Sequence, residues 1–217
     1  MTLPTPPLDP YELIIKGCRI LSIPLPDSAA KKMMLHMDLL KTWGTKINLT
    51  AIKEPREMAI LHFLDSLTVF KVIPSGSGLR ILDIGSGAGF PGLVVRTADE
   101  TLHVTLLDRD PKKIVFLKHA ARELALTGLA FINSPLKKLF ENPTMRRFDC
   151  IVSRGFSSNV TVLDGLDSLL APSGCLVTMT GPSSEKLVLK NFHLAALWEG
   201  ILPFSNRSRK VSLHQLN

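Results

Sequence analysis

The chain has 217 residues, 45% of them hydrophobic and 21% charged. That balance describes a folded globular protein and excludes a disordered one, which carries fewer apolar residues. The length suits one substantial core with a small appendage, not two ordinary domains. A net charge of +7 leans toward a polyanionic partner such as RNA, although a solvated basic face accounts for charge alone equally well.

In chain order, Met1 to Pro7 has neither the positive start nor the apolar run of a signal peptide and reads as a flexible arm. No run of about 18 apolar residues occurs anywhere, so no membrane span is expected and the cytoplasm is the expected location. Residues 9 to about 72 read as helical. Asp27 is placed to cap a helix that carries Met33, Met37 and Leu40 at helical spacing and ends near Trp43. Another helix should start at Glu54-Pro55 and present Met58, Leu61 and Leu64 on one face. These methionines fit a core stripe better than a cofactor box. Pro74 to Gly78 then breaks the pattern as a turn.

From Leu79 short apolar runs alternate with helical stretches. Strands are expected at Arg80–Ile84, His103–Asp108, Ala130–Ile132, Phe148–Ser153 and Cys175–Met179, with the clearest helix from Lys112 to Leu126. Such alternation demands a mostly parallel sheet covered by helices on both faces. Cys18, Cys150 and Cys175 are odd in number and widely spaced, which fits buried free thiols. The six histidines show no zinc-binding spacing, so no metal is expected. Near the end, Arg207, Arg209 and Lys210 form a basic cluster with no acidic residue after Glu199.

The chemistry is carried by Asp83 and the loop Gly85-Ser86-Gly87-Ala88-Gly89 just after it. A strand ending there puts a side-chain-free turn at the carboxyl edge of the sheet, where open α/β sheets bind ligands. The Asp83 carboxylate could meet the ammonium of a methionine moiety. Asp108, ending the next strand, could accept hydrogen bonds from both ribose hydroxyls. Gly87, Gly89 and Gly92 also satisfy the dinucleotide pattern G-x-G-x-x-G. Asp83 before the first glycine and the Phe90-Pro91-Gly92 entry favour S-adenosyl-L-methionine over NAD, and over a tight turn that binds nothing.

These residues resemble the RsmG (GidB) family of Rossmann-like class I methyltransferases, from about residue 27 to residue 181. The likeness rests on Trp43 with Asn48-Leu49-Thr50, on His62-Phe63-Leu64-Asp65-Ser66, on Asp83 through Gly92, and on Ser153-Arg154-Gly155. It implies a mostly parallel seven-stranded sheet, with residues 1-72 as an N-terminal helical extension on a methyltransferase domain at 73-217. It further implies methyl transfer to guanine N7 of 16S ribosomal RNA, with ribosomal RNA or the small subunit as partner and a monomer expected. Cofactor contacts are implied at Gly85, Phe90, Leu136, Lys137 and Arg154, beside Asp83, Gly87, Gly89 and Asp108. Arg154, His62 and Asp65 are the candidate catalytic residues, in positioning roles. His62, Asp65 and Ser66 share a helix face at i, i+3 and i+4, so a structural His–Asp pair and a substrate-facing role are both open. Asn48 is expected to organise a turn. The chain departs from the family at Gly44, where asparagine is usual, at Pro135, where arginine is common, and at Thr180, where lysine is common. Two cations expected near the site are therefore missing, and Lys137 or Lys138 is the expected substitute. Two other readings stay open: an RNA-binding assembly protein without turnover, and a methyltransferase acting on another RNA or a small molecule.

Overall fold

The computed structural model describes residues 8–74, 76–141, 147–155, 165–181 and 189–217. The expected N-terminal arm, and Ser75 of the expected turn, lie outside the described residues. Two helices open the chain, α1 (Pro10–Ile20) and α2 (Asp27–Trp43). Asp9 caps α1 by accepting from the Glu12 N–H at 2.8 Å. Asp27 does not cap α2 as expected: Pro26 holds the cap position, and Asp27 is the first helical residue, paired with Lys31 at 2.8 Å. The turn after α2 is closed by the N–H groups of Lys46 and Ile47 on the Trp43 carbonyl, while Asn48 is left exposed.

The next helical segment differs from a plain α-helix. It runs as α3 (Pro55–Met58), a π-helical turn (Ala59–Leu64), α4 (Asp65–Leu67) and a 3₁₀ turn (Thr68–Lys71). The Asp65 N–H reaches back five residues to the Ile60 carbonyl. Such a widened turn puts one more residue on the inner side and rotates the helix beyond it. Met58 and Leu64 are buried as expected, but Leu61 is turned half out toward a cleft. α1 crosses this segment closely at Gly17, where any Cβ would collide with Leu64.

Seven strands complete the fold: β1 (Arg80–Ile84), β2 (His103–Asp108), β3 (Leu129–Asn133), β4 (Phe148–Arg154), β5 (Leu170–Thr180), β6 (Phe192–Ile201) and β7 (Ser208–Leu216). Among them lie α5 (Gly92–Ala98), α6 (Pro111–Glu123), α7 (Lys137–Phe140) and α8 (Leu166–Leu169). The sheet order is β3-β2-β1-β4-β5-β7-β6, parallel except for the pairs made by β7. Strand order reverses between β1 and β4, which opens a crevice at their carboxyl ends.

One continuous core joins the first helices to the sheet: Leu13, Met33, Met37 and Phe63 pack in the same cluster as Ile81, Val104 and Phe116. The methionines are core, as their spacing indicated, and the three cysteines are buried and free. No helix among the described residues is long and apolar enough to cross a membrane.

Candidate active site

β1 delivers Asp83 to the crevice and then bends into the glycine loop. Gly85 and Gly87 take φ of +75° and +55°, a region that side chains disfavour. A Cβ on Gly85 would meet nothing within 4 Å, so this edge of the loop faces open space. The opposite edge is tight. A Cβ on Gly92 would come within 2.6 Å of the Asp83 carboxylate and 2.7 Å of Leu106, so only glycine lets α5 start so close to β1.

Asp83 is fully buried. Its Oδ2 accepts from the Gly92 N–H at 3.0 Å, while its Oδ1 has no partner. Burial pushes its carboxyl up to about 7, against the pull of Ser86 and Gly92. Asp108 accepts from the Gly87 N–H and the Asp110 N–H, each at 2.9 Å and each on a different oxygen. A carboxylate offers about four lone-pair sites, so both oxygens keep capacity for hydroxyl donors. The Asn133 amide and the Ser134 N–H bond the Asp108 carbonyl, which brings the end of β3 alongside. Half-buried Leu136 and exposed Lys137 come directly after it.

Phe90 follows the glycine loop. Its ring is only 4% exposed. It lies between His36 and His62, with centroids at 5.2 and 4.5 Å and nearly parallel planes. His36, on α2, also donates from Nε2 to the Ala88 carbonyl at 2.9 Å, so a helix of the N-terminal region holds the glycine loop. Burial drives both histidines down to about 4, with Arg154 adding to the effect at His62, and both rings are neutral at pH 7.

The boxes that lie far apart in sequence converge on Arg154 at the end of β4. Its Nη1 donates to the Leu61 carbonyl at 3.2 Å and to His62 Nδ1 at 3.4 Å, and stands 3.5 Å from the Asp65 carboxylate. Its guanidinium carbon lies 5.2 Å from the centroid of the Phe90 ring. A guanidinium only donates, so the imidazole proton of His62 sits on Nε2, 2.6 Å from the Thr50 hydroxyl. His62 and Asp65 do not form the structural pair left open by their spacing; Arg154 stands between them.

Asp65 also accepts from Arg209 Nε at 2.8 Å. Its burial raises the carboxyl more than Arg209 and Arg154 together lower it. Arg209 was legible only as part of a basic tail, because its partner lies 144 residues away. A cleft of about 410 Å³ opens beside this network, lined by Leu61, Asp65, Arg154, Thr180, Arg207 and Arg209 among others. The cations near Thr180 therefore come from the β7 segment. Lys137 and Lys138, expected to supply them, lie after β3 and do not line this cleft.

A doubly wound sheet with a bare glycine turn, an unpartnered buried carboxylate oxygen and an acid ending β2 fits a methionine-bearing nucleoside. The fold is shared with a solved S-adenosylmethionine-dependent methyltransferase from Aquifex aeolicus, at a TM-score of 0.55 and 15% identity over 76% of this chain and 94% of that one. The fold is thus that of the Rossmann-like class of methyltransferases. Residues 29–202 match the family model of GidB, rRNA small subunit methyltransferase G, and the chain belongs to that family. Ribosomal RNA small subunit methyltransferase G of Leptothrix cholodnii is 33% identical over 179 residues, covering 80% of each chain. The protein of the same description from Methylobacillus flagellatus is 36% identical over 170 residues, covering 78% of this chain and 80% of the relative.

Proposed function

We propose that this protein transfers the methyl group of S-adenosylmethionine to N7 of a guanine in 16S ribosomal RNA. The observation that carries this reading is the convergence of Thr50, His62, Asp65 and Arg154 beside the glycine loop, with none of them free to act as a base. Guanine N7 offers a lone pair without a proton, so attack needs no base. Held by the glycine loop and Asp108, S-adenosylmethionine would supply an electrophilic methyl on sulfonium, and transfer would exchange its C–S bond for an N7–C bond and leave the positive charge on the guanine ring.

The chain's own residues would hold and orient. Asp83, Gly85, Gly87, Gly89 and the Phe90 backbone shape the methionine and ribose side, and Asp108 takes the ribose hydroxyls. Leu136 and Lys137 flank the adenine, and Arg154, fixed by Leu61, His62 and Asp65, holds the wall beside the point of transfer. Catalysis then rests on keeping N7 in line and about 3 to 3.5 Å from the methyl carbon. Residues 1-72 serve as an extension that completes the site of the 73-217 domain, since His36, Thr50, His62 and Asp65 all come from it.

Mass spectrometry of 16S ribosomal RNA from cells with and without the gene tests this. One 7-methylguanosine should disappear with the gene and return when purified protein, cofactor and that RNA are combined. An unchanged nucleoside profile, with no label transferred from tritiated cofactor to the RNA, overturns it.

A further inference from the structure

We infer that the cleft beside Arg154 is a binding site for a backbone phosphate of the RNA strand, held by Arg207 and Arg209. This rests on the reading of the protein as an RNA methyltransferase. The cleft gathers three guanidinium groups, from Arg154, Arg207 and Arg209, against the single carboxylate of Asp65. Asp65 is shared between Arg154 and Arg209, so positive charge is left over. Arg209 spends Nε on Asp65 and Nη1 on the Ser208 carbonyl, which leaves Nη2 without an acceptor among the described residues. Arg207 is exposed and forms no ion pair among the described residues. Its backbone is nonetheless fixed: its carbonyl accepts from the Leu202 N–H at 2.9 Å, and its N–H donates to the Ser205 hydroxyl at 3.2 Å. Lys210, next in the same basic cluster, is neutralised by Glu199 at 2.9 Å. The uncommitted charge of the cluster is therefore the part that faces the cleft.

The direction of charge flow decides what that charge is for. Methyl transfer to N7 leaves the base more positive, so a guanidinium turned to the N7 edge would oppose the reaction and would also occupy the attacking lone pair. A phosphate is already an anion, offers oxygens to a fork of N–H donors, and keeps its charge throughout. Cations that grip the backbone thus position the nucleotide without touching the reacting atoms. Asp65, only 3% exposed, fixes the reach of Arg209 by holding its Nε.

The test is binding of transcribed 16S ribosomal RNA across a salt series, for wild type, Arg207→Ala, Arg207→Lys and Arg209→Ala. Each alanine variant should flatten the slope of log affinity against log salt by about 0.7 to 0.9, the share of one phosphate contact. Arg207→Lys should keep most of the slope. Calorimetric affinity for S-adenosylmethionine should stay at the wild-type value, and Arg207→Ala should raise KM for RNA more than it lowers kcat. Should Arg209→Ala fail to fold, Arg207→Ala carries the test, since that side chain is exposed and holds no ion-pair partner among the described residues. A wild-type salt slope in folded Arg207→Ala overturns the site. So does displacement of RNA by polyglutamate at equal charge concentration, which would show attraction to any polyanion. Wild-type protein that binds RNA but transfers no methyl group sinks the enzymatic reading instead, and the two failures are told apart by the label.

Discussion

The two halves of the proposed active site are built on opposite plans. The cofactor half centres on one stretch of ten residues, Asp83 to Gly92, shaped mainly by its backbone: positive φ, an open edge at Gly85 and a close approach at Gly92, with Asp108 joined to it at Gly87. The substrate half is a chain of side chains, Thr50 to His62 to Arg154 to Asp65 to Arg209, with partners up to 144 residues apart in sequence. A site made of backbone fails when atoms are added to it. A site made of a charge relay fails when one member is taken away, because the neighbours lose the partner that aims them.

The largest effect should come from adding atoms to the backbone half. Gly87→Asp places a side chain and a negative charge where the loop must stay bare, at a φ of +55°. The conformational cost is roughly 1 to 2 kcal/mol, so the variant should fold. Calorimetry should then detect no heat at S-adenosylmethionine concentrations that saturate wild type. Wild-type affinity in a folded variant would break the contrast, since the loop would then tolerate what its geometry forbids.

Taking away a member of the side-chain half should do less, and do it differently. Arg154→Ala removes the link between His62 and Asp65 but leaves Asp65 with Arg209 at 2.8 Å. The loss of stability should stay near 1 to 2 kcal/mol, the usual cost of lost hydrogen bonds when the remaining partner is kept. Methyl transfer should fall by roughly a hundredfold, the scale of a reacting group left about 1 Å out of place. Unchanged turnover with a lowered melting temperature would recast Arg154 as a strut only.

The same contrast explains what could be read from the sequence. β1, β2, β4 and the glycine loop were legible because local period and turn chemistry specify them, and the observed β1 and β2 bounds coincide with the expected ones. β6 and β7 were not legible individually: β6 is an edge strand with Leu194, Leu197 and Ile201 exposed, so it lacks a clean buried face. The π-helical turn was hidden because a run such as Ala59-Ile60-Leu61-His62 looks the same at either helical pitch. Arg209 was hidden for a different reason, since no local pattern announces a partner in another element.

Asp83 stands where the two halves meet, and it offers the subtlest test. Its carboxyl is raised from the ordinary 3.8 to about 7, first by burial. A raised acid gives stability that is fully present below 3.8 and is lost as pH climbs through 7. At pH 8 the wild type holds a buried carboxylate with Oδ1 unpaired. Asp83→Asn stays neutral, and its amide oxygen can still accept from Gly92. The stability of Asp83→Asn relative to wild type should therefore improve from pH 5 to pH 8, by at most roughly 3 kcal/mol. His36 and His62 titrate between 6.5 and about 4 in both proteins, so they cancel in that difference. Cofactor affinity gives the finer reading. If Asp83 meets the methionine ammonium, that cation favours the ionised form, and wild-type affinity should rise between pH 6 and pH 8 by a few-fold while Asp83→Asn stays flat. A flat wild-type profile would confine Asp83 to holding Gly92, and the carboxylate would then belong to the loop's architecture alone.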